Sequence, residues 1–249
     1  MKEEWVVIQE NVEVAKDTYR MRLKGEISKL FSPGQFVNVL IDGYTLRRPI
    51  SVSQYDAKTS TFVLLYKVMG EGTKKMSKMR VGETLSVFGP LGNGFPIEAS
   101  SSVLLIGGGA GAGPLVQVAK ELRGKAGDII VVLGFPTKED VYALEDFREI
   151  GIEVLVSTDD GTMGTKGNVL DLIEEKGISA EIVYACGPKR MLRGIEERFT
   201  KGYISLDVRM ACGMGACMAC VCKDQKEEEK YYRVCKEGPV FEIGQVIIE

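Results

Sequence analysis

The spacing of the cysteines constrains this chain more than any other feature of its sequence. Five of the six cysteines lie between positions 212 and 235, and four of these follow the pattern C-x4-C-x2-C-x14-C. The four are Cys212, Cys217, Cys220 and Cys235. One tight loop must then direct three thiolates at a single small group, while the fourth arrives across a hairpin. Gly213 and Gly215 let the backbone wrap closely and turn its N–H groups towards the sulfurs.

This pattern predicts a [2Fe–2S] cluster. Plant-type two-iron sites use C-x4-C-x2-C with a distant fourth cysteine, whereas structural zinc sites commonly use two C-x2-C pairs. Buried free thiols are the remaining alternative. Cys222 stands outside the pattern because Cys220 already completes the triple, so we interpret Cys222 as a small strand residue and not as a ligand.

Composition narrows the class of protein. The chain has 249 residues, a net charge of −3, 45% hydrophobic and 27% charged residues, which is the ordinary balance of a soluble globular protein. Without a basic excess, we expect neither nucleic acid nor a membrane surface as a partner. Residues 1–10 lack a signal-peptide pattern, and the longest apolar runs are too short to span a bilayer. We therefore expect a cytoplasmic protein, where clustered cysteines favour metal over disulfides.

Histidine is absent from the sequence. Its absence removes the commonest general base, the serine–histidine hydrolases and every histidine-ligated metal site. Chemistry must then depend on carboxylates, thiols, backbone groups or bound cofactors. We assign no catalytic side chain.

Periodicity and turn residues predict an α+β multidomain fold in three parts. Residues 1–97 contain six short strand patterns and one short helix, at about 72–79, which predict an antiparallel β-barrel. Residues 98–205 alternate strands with helices, as in a parallel, doubly wound nucleotide-binding sheet. Residues 206–249 are rich in glycine and cysteine and are predicted to form a small cluster-binding module.

Two short motifs in the first part are suited to a flavin. Arg48-Pro49-Ile50-Ser51 opens a strand, where the guanidinium can bind a pyrophosphate and Ser51 can hydrogen-bond the flavin ring. Gly72 and Thr73 begin the short helix, whose N–H groups suit the same anion. We interpret Arg47 as a solvated or partner-facing charge. Each motif is weak alone, and the pair gains weight from the barrel that contains both.

The second part contains two glycine turns at the ends of predicted strands, where open α/β sheets bind ligands. The run 107–114 includes Gly108, Gly109 and Gly111, whose backbone can approach a dinucleotide phosphate. Cys186-Gly187-Pro188 is the second turn, although it can also serve only to start a helix. Asp128 lies in a turn before a strand, so we do not expect it to contact a ribose. The segment 158–161 is either a simple turn or part of the pocket.

Together these motifs resemble the ferredoxin–NADP reductase superfamily, in which a flavin barrel precedes a nicotinamide domain. The segment 209–222, RMACGMGACMACVC, and the segment 233–241, RVCKEGPVF, more closely resemble the electron-transfer subunits of NAD-dependent (type B) dihydroorotate dehydrogenase. That similarity spans nearly the whole chain, and its cluster segment is the most specific part.

The resemblance implies FAD, [2Fe–2S] and NAD as cofactors and co-substrate. It implies a separate FMN-containing catalytic subunit that oxidises dihydroorotate in pyrimidine synthesis, with two of each subunit in a heterotetramer. Electrons would pass from FMN through the cluster to FAD and then to NAD⁺. Carried over by position, the flavin contacts are Arg48, Pro49, Ile50, Ser51, Leu65, Tyr66, Lys67, Gly72 and Thr73.

Other functions with the same cofactors stay open at this point. They are an electron-transfer subunit of a sulfhydrogenase or of a bifurcating transhydrogenase, a stand-alone NAD(P)H–ferredoxin reductase, and a cluster-based redox sensor. The choice between NADH and NADPH also stays open.

Overall fold

A computed structural model describes residues 1–249. The first part is a closed barrel in the strand order β1-β2-β5-β4-β3-β6, with every pairing antiparallel. A short helix, α1, lies between β5 and β6 and spans Glu71–Met76. The strands are β1 Lys2–Ala15, β2 Thr18–Lys24, β3 Phe36–Val39, β4 Arg48–Asp56, β5 Thr61–Lys67 and β6 Thr84–Leu91.

Alternation along the barrel strand β5 shows how the barrel packs against the second part. On β5, Phe62, Leu64 and Tyr66 face the barrel core, whereas Val63 and Leu65 join the core of the second part. A strand with period two can bury both faces only when another layer covers its outer side. The apolar run of β5 therefore predicts a strand between two cores, and that is where β5 lies.

The second part is a sheet with helices on both sides, in the order β10-β9-β8-β7-β11-β12-β15. All pairings are parallel except the last, in which β15 runs antiparallel to β12. The elements are β7 Ser100–Gly108, α2 Ala112–Leu122, β8 Ala126–Phe135, α3 Leu144–Glu149, β9 Val154–Thr158, β10 Thr165–Lys166, α4 Val169–Glu175, β11 Ile182–Cys186, α5 Lys189–Arg198, β12 Gly202–Ser205, β13 Val221–Lys223, β14 Tyr231–Arg233 and β15 Val240–Glu242.

The cysteine-rich third part pairs with the sheet and packs against it. The hairpin β13–β14 carries the fourth cysteine beyond its second strand, and β15 then adds to the sheet beside β12. Cys220, Cys235 and Phe241 share one hydrophobic core with Leu104 and Ile106 of β7. The third part therefore completes the packing of the second.

The sequence-based elements agree with the structure in type and order, and the α+β class with a barrel followed by a parallel sheet is confirmed. The helix expected at about 72–79 is shorter, and the strands β10, β12 and β15 were missed. All three are very short, and β15 pairs with a partner almost 40 positions away. The boundaries at 97 and 205 stay predictions. No helix has the length and apolar character that crossing a bilayer requires.

Candidate functional site

A crevice of about 320 Å³ lies where the barrel, the sheet and the cysteine-rich part meet. Its walls bring together predicted residues that are far apart in sequence: Pro49, Ser51, Gly108, Gly109, Gly111, Cys186, Gly187 and Pro188. Flavin-type and nucleotide-type motifs thus open into one cavity. Two grooves elsewhere are larger, at about 840 and 820 Å³, but neither contains any of these predicted residues.

The two glycine turns touch one another at the floor of the crevice. A Cβ on Gly111 would stand 1.9 Å from the Cys186 carbonyl oxygen, so no side chain fits there. A Cβ on Gly108 would stand 2.8 Å from Pro188. Gly109 adopts φ +51°, and its carbonyl accepts a 2.8 Å hydrogen bond from the Tyr142 hydroxyl. This close backbone surface fits a dinucleotide, which needs main-chain approach at a strand's carboxyl end.

The thiol of Cys186 lies at the end of β11 and is buried. Burial raises the pKa of this thiol to about 12, although a hydrogen bond with the neighbouring Ser205 opposes that effect. Cys186 is therefore a neutral thiol at physiological pH and does not bring a charge to the crevice.

Asp207 and Met210 also line the crevice, and sequence analysis missed both. The Asp207 side chain remains exposed towards the opening, yet the surrounding walls desolvate its carboxyl and raise its pKa, while Lys189 opposes this. Both residues follow β12, which was itself missed, so no sequence signal placed them at a strand's carboxyl end.

Arg48 and the start of α1 meet in space, as the flavin motifs require. A Cβ on Gly72 would stand 2.6 Å from the Arg48 Nε atom, and the Arg48 guanidinium lies 4.7 Å above the Tyr44 ring. The Thr73 hydroxyl is already engaged, because it accepts from the Met69 N–H at 2.9 Å and donates to the Gly70 carbonyl at 3.1 Å. Backbone N–H groups of α1 and the guanidinium are what this corner offers an anion.

The three β5 residues differ in what they offer a flavin. The Tyr66 ring points into the barrel, where its hydroxyl donates to Asn11 Oδ1 at 3.0 Å. The Lys67 ammonium forms an ion pair with Asp140 at 2.9 Å, which links the barrel to the second part. Leu65 lines a small cavity beside Gly109. Tyr66 therefore presents only its backbone outwards, and the β5 contacts stay predictions.

The residues that were left open in the sequence have other places. Asp128 lies within β8 and not in a turn before it, so that interpretation was wrong, and Asp128 does not line the crevice. Asp160 holds its own turn by accepting from the Thr162 N–H at 2.9 Å. Arg47 is not a solvated charge: it pairs with Glu3 at 2.6 Å and donates to Ser86 Oγ at 3.1 Å. The solvated alternative was wrong because the barrel folds Glu3 onto Arg47, and the partner-facing alternative stays a prediction.

The four patterned cysteines converge in two pairs. The Cys217 thiol lies beside that of Cys212 and helps to lower its pKa, and the Cys220 thiol lies beside that of Cys235 and helps to raise its pKa. No three cysteine or carboxylate side chains gather around one point that a single ion would occupy. Two pairs match a two-iron cluster, in which each iron takes two cysteines, better than one tetrahedral zinc. Cys222 belongs to neither pair.

Backbone N–H groups are directed at these sulfurs. Gly215 donates to Cys235 Sγ at 3.1 Å, Ala216 donates to Cys212 Sγ at 3.3 Å and Cys235 donates to Cys220 Sγ at 3.4 Å. Burial alone would raise the pKa of the Cys212 thiol, but the N–H donors outweigh burial and lower that pKa to about 6. Donors that stabilise thiolates are what a cluster site requires, so the residues fit the group.

Comparisons with known proteins show the family to which this chain belongs. A family model for the iron–sulfur cluster binding domain of dihydroorotate dehydrogenase B matches residues 207–247. A model for an oxidoreductase NAD-binding domain matches 105–197, and a model for an oxidoreductase FAD-binding domain matches 6–95. The chain is 44% identical to the dihydroorotate dehydrogenase B (NAD⁺) electron transfer subunit of Bacillus mycoides over the full length of both chains. Identity to the corresponding subunit of a Geobacillus species is 43%, again over both full lengths.

The chain belongs to the family of dihydroorotate dehydrogenase B electron transfer subunits. The resemblance stated from the sequence is thereby confirmed, together with FAD, NAD and the [2Fe–2S] cluster as the groups for which members of this family have domains. A member of this family is a flavin and iron–sulfur oxidoreductase subunit that acts with NAD.

Solved structures also resemble this family member. An NADH-dependent reduced ferredoxin–NADP oxidoreductase, studied for flavin-based electron bifurcation, superposes with a TM-score of 0.87 and 31% identity, covering 98% of this chain and 90% of that one. Phthalate dioxygenase reductase superposes with a TM-score of 0.66 at 16% identity, covering 89% of this chain and 86% of that one. The second likeness concerns the fold alone.

Proposed function

We propose that this chain carries electrons from the FMN of a dihydroorotate-oxidising partner subunit to NAD⁺, through [2Fe–2S] and FAD, in pyrimidine synthesis. One observation carries the proposal. The flavin-type residues Pro49 and Ser51 share a cavity with the nucleotide turns, and the cysteine-rich part forms another wall of that cavity through Met210 and Pro239. All three groups would therefore lie close together.

When bound, FAD exchanges a hydride with nicotinamide and single electrons with the cluster. The chain's own residues hold and orient these groups. The backbone at Gly108–Gly111 and the turn 186–188 would hold the dinucleotide, because glycine at 108 and 111 lets the two turns pack together at the floor of the crevice. Ser51, exposed on β4, would hydrogen-bond the flavin ring, and Arg48 would bind the FAD pyrophosphate. Cys186, as a neutral thiol, would shape the nicotinamide site without a charge.

The surface around the cluster favours a protein partner. Cys217 is exposed, and Met214 and Met218 of the same loop expose apolar side chains as well. Exposed apolar clusters of this kind usually mark protein interfaces. We propose that the FMN-containing subunit covers this surface, and that the complex is a cytoplasmic heterotetramer with two of each subunit.

The test is co-expression of this chain with the orotate-forming subunit encoded in the same genome, followed by a spectroscopic assay of dihydroorotate-dependent NAD⁺ reduction. We expect turnover by the complex and none by either subunit alone. A Cys217→Ser chain should assemble but lose NAD⁺ reduction, whereas a Cys222→Ser chain should retain it. A complex that is fully loaded with FAD, FMN and iron yet inactive with dihydroorotate would refute the proposal.

A further inference from the structure

The strand β3 separates the flavin strand from the cluster loop. Its residues alternate sharply: Val37 and Val39 point into the barrel core, while Phe36 belongs to the core that contains Cys220 and Cys235. Because side chains two apart on a strand share a face, Asn38 points the same way as Phe36. It thus faces the cysteine-rich part from within a wall of apolar side chains.

The Asn38 side chain is 2% exposed, and it makes the contact between the barrel and the first cluster cysteine. Its Nδ2 atom donates to the Cys212 carbonyl oxygen at 3.0 Å, across 174 positions of sequence. A buried amide at an apolar interface is costly unless it is hydrogen-bonded, so this contact defines one relative position of loop and barrel.

Gly213 strengthens the same contact. It adopts φ +66°, and a Cβ there would stand 2.4 Å from Asn38 Nδ2, so only glycine lets the residue after Cys212 approach the amide this closely. On its other side, Asn38 pairs in the β-ladder with Pro49 of the flavin motif. Pro49 of the flavin motif therefore stands directly opposite the residue that holds Cys212.

We infer that Asn38 is a positioning residue for electron transfer between FAD and the cluster, holding Cys212 at a fixed place relative to the flavin strand. In that transfer, the reduced flavin loses one electron and the cluster gains it, with no bond to the protein made or broken. Asn38 touches neither group in this role and acts through the Cys212 peptide. The inference rests on the proposed function for the identity of the two groups.

The variants Asn38→Leu and Asn38→Ala test it. Both remove the donor to Cys212. Asn38→Leu keeps approximately the size of the side chain, and the smaller Asn38→Ala guards against a folding failure caused by the different shape of leucine. Asn93→Ala is the matched control, because the Asn93 amide also donates to a carbonyl of the cysteine-rich part, that of Glu237 at 2.9 Å, without contacting Cys212.

NADH alone is the reductant, so the partner subunit is not needed. Stopped-flow absorbance would follow reduction of the flavin and then of the cluster, and EPR would record the reduced cluster. In both Asn38 variants we expect unchanged FAD and iron content, unchanged flavin reduction, an altered EPR spectrum and cluster reduction slowed about tenfold, since small misplacements of reacting groups have large kinetic effects. Asn93→Ala should match the wild type in both readouts.

The inference is overturned if either Asn38 variant, loaded with iron and FAD, shows the wild-type EPR spectrum and rate. It is overturned equally if Asn93→Ala produces the same changes, because the effect would then reflect general docking of the cysteine-rich part. Failure of dihydroorotate turnover in the co-expressed complex would leave these NADH-driven results intact, so the two proposals fail separately.

Discussion

Replacing Gly111 by alanine should separate the steric role of the glycine turn from its conformational role. Gly111 has an ordinary helical φ of −69°, so alanine is not strained there in its backbone. Its methyl group, however, would stand 1.9 Å from the Cys186 carbonyl oxygen and 2.7 Å from the Gly187 nitrogen. Real Cβ contacts are essentially never shorter than 3.0 Å, so the two turns must separate by about 1 Å.

That displacement lies at the floor of the crevice where nicotinamide would bind. Overpacking of this size costs about 1–3 kcal/mol of stability, which a domain of this size tolerates. A shift of about 1 Å between reacting groups lowers a rate by about 100-fold. We therefore expect Gly111→Ala to retain FAD and iron but to reduce its flavin with NADH about 100-fold more slowly.

Gly109→Ala is the matched control. Gly109 has φ +51°, but a Cβ there would meet nothing within 4 Å. The left-handed conformation costs alanine roughly 1–2 kcal/mol, without pushing the turns apart. Anaerobic stopped-flow measurement of flavin reduction should show a loss of under about tenfold for this variant. Equal losses in the two variants, or a larger one for Gly109→Ala, would refute the reasoning.

Two further outcomes are expected. Cys235→Ser should purify without the visible and EPR signals of the cluster, whereas Cys222→Ser should keep both. Burial raises the pKa of the Cys222 thiol, and this thiol belongs to neither sulfur pair. A colourless Cys222→Ser variant would contradict the ligand assignment. Hydrogen bonds from Lys67 and Thr137 outweigh desolvation and hold the pKa of Asp140 below its usual 3.8 in the folded protein. The ion pair therefore contributes its full stability above pH 3.8, and this contribution is lost as the pH falls through the lower pKa of the folded state. Asp140→Asn should therefore lower the free energy of unfolding at pH 7 by under about 1 kcal/mol, a small effect because Lys67 is partly exposed. The melting temperature should fall slightly at pH 7, and its difference from that of the wild type should shrink in acid.

The sequence was sufficient for features that depend on local spacing. The cysteine pattern, the flavin motif on β4 and the glycine turns after β7 and β11 lie on the elements expected of them. These motifs work because each needs a particular residue at a fixed offset from a strand end or a loop. Parallel pairing then brings the ends of β7 and β11 to the same edge without any further information.

What the sequence did not reveal depends on contacts between distant segments. Asn38 reads as an ordinary polar residue in a strand, and nothing local indicates that it binds a loop 174 positions away. The lining of the crevice by Met210 and Pro239 requires the cysteine-rich part to fold back onto the barrel. The resemblance supplied positions 65–67, but only the three-dimensional fold shows that the Tyr66 ring faces inwards.

Cys220 and Cys235 lie in the same hydrophobic core as β7, the strand that ends in the nucleotide turn. We expect iron binding to stabilise this core as well as the cluster loop, because a ligand that binds only the folded state adds its binding free energy to stability. A chain made under iron starvation would leave four thiols without their metal, two of them inside that core. We expect such a chain to open locally, lose NAD affinity and become a substrate for proteases. The cell's iron supply would then set how much of this subunit survives, before any electron moves.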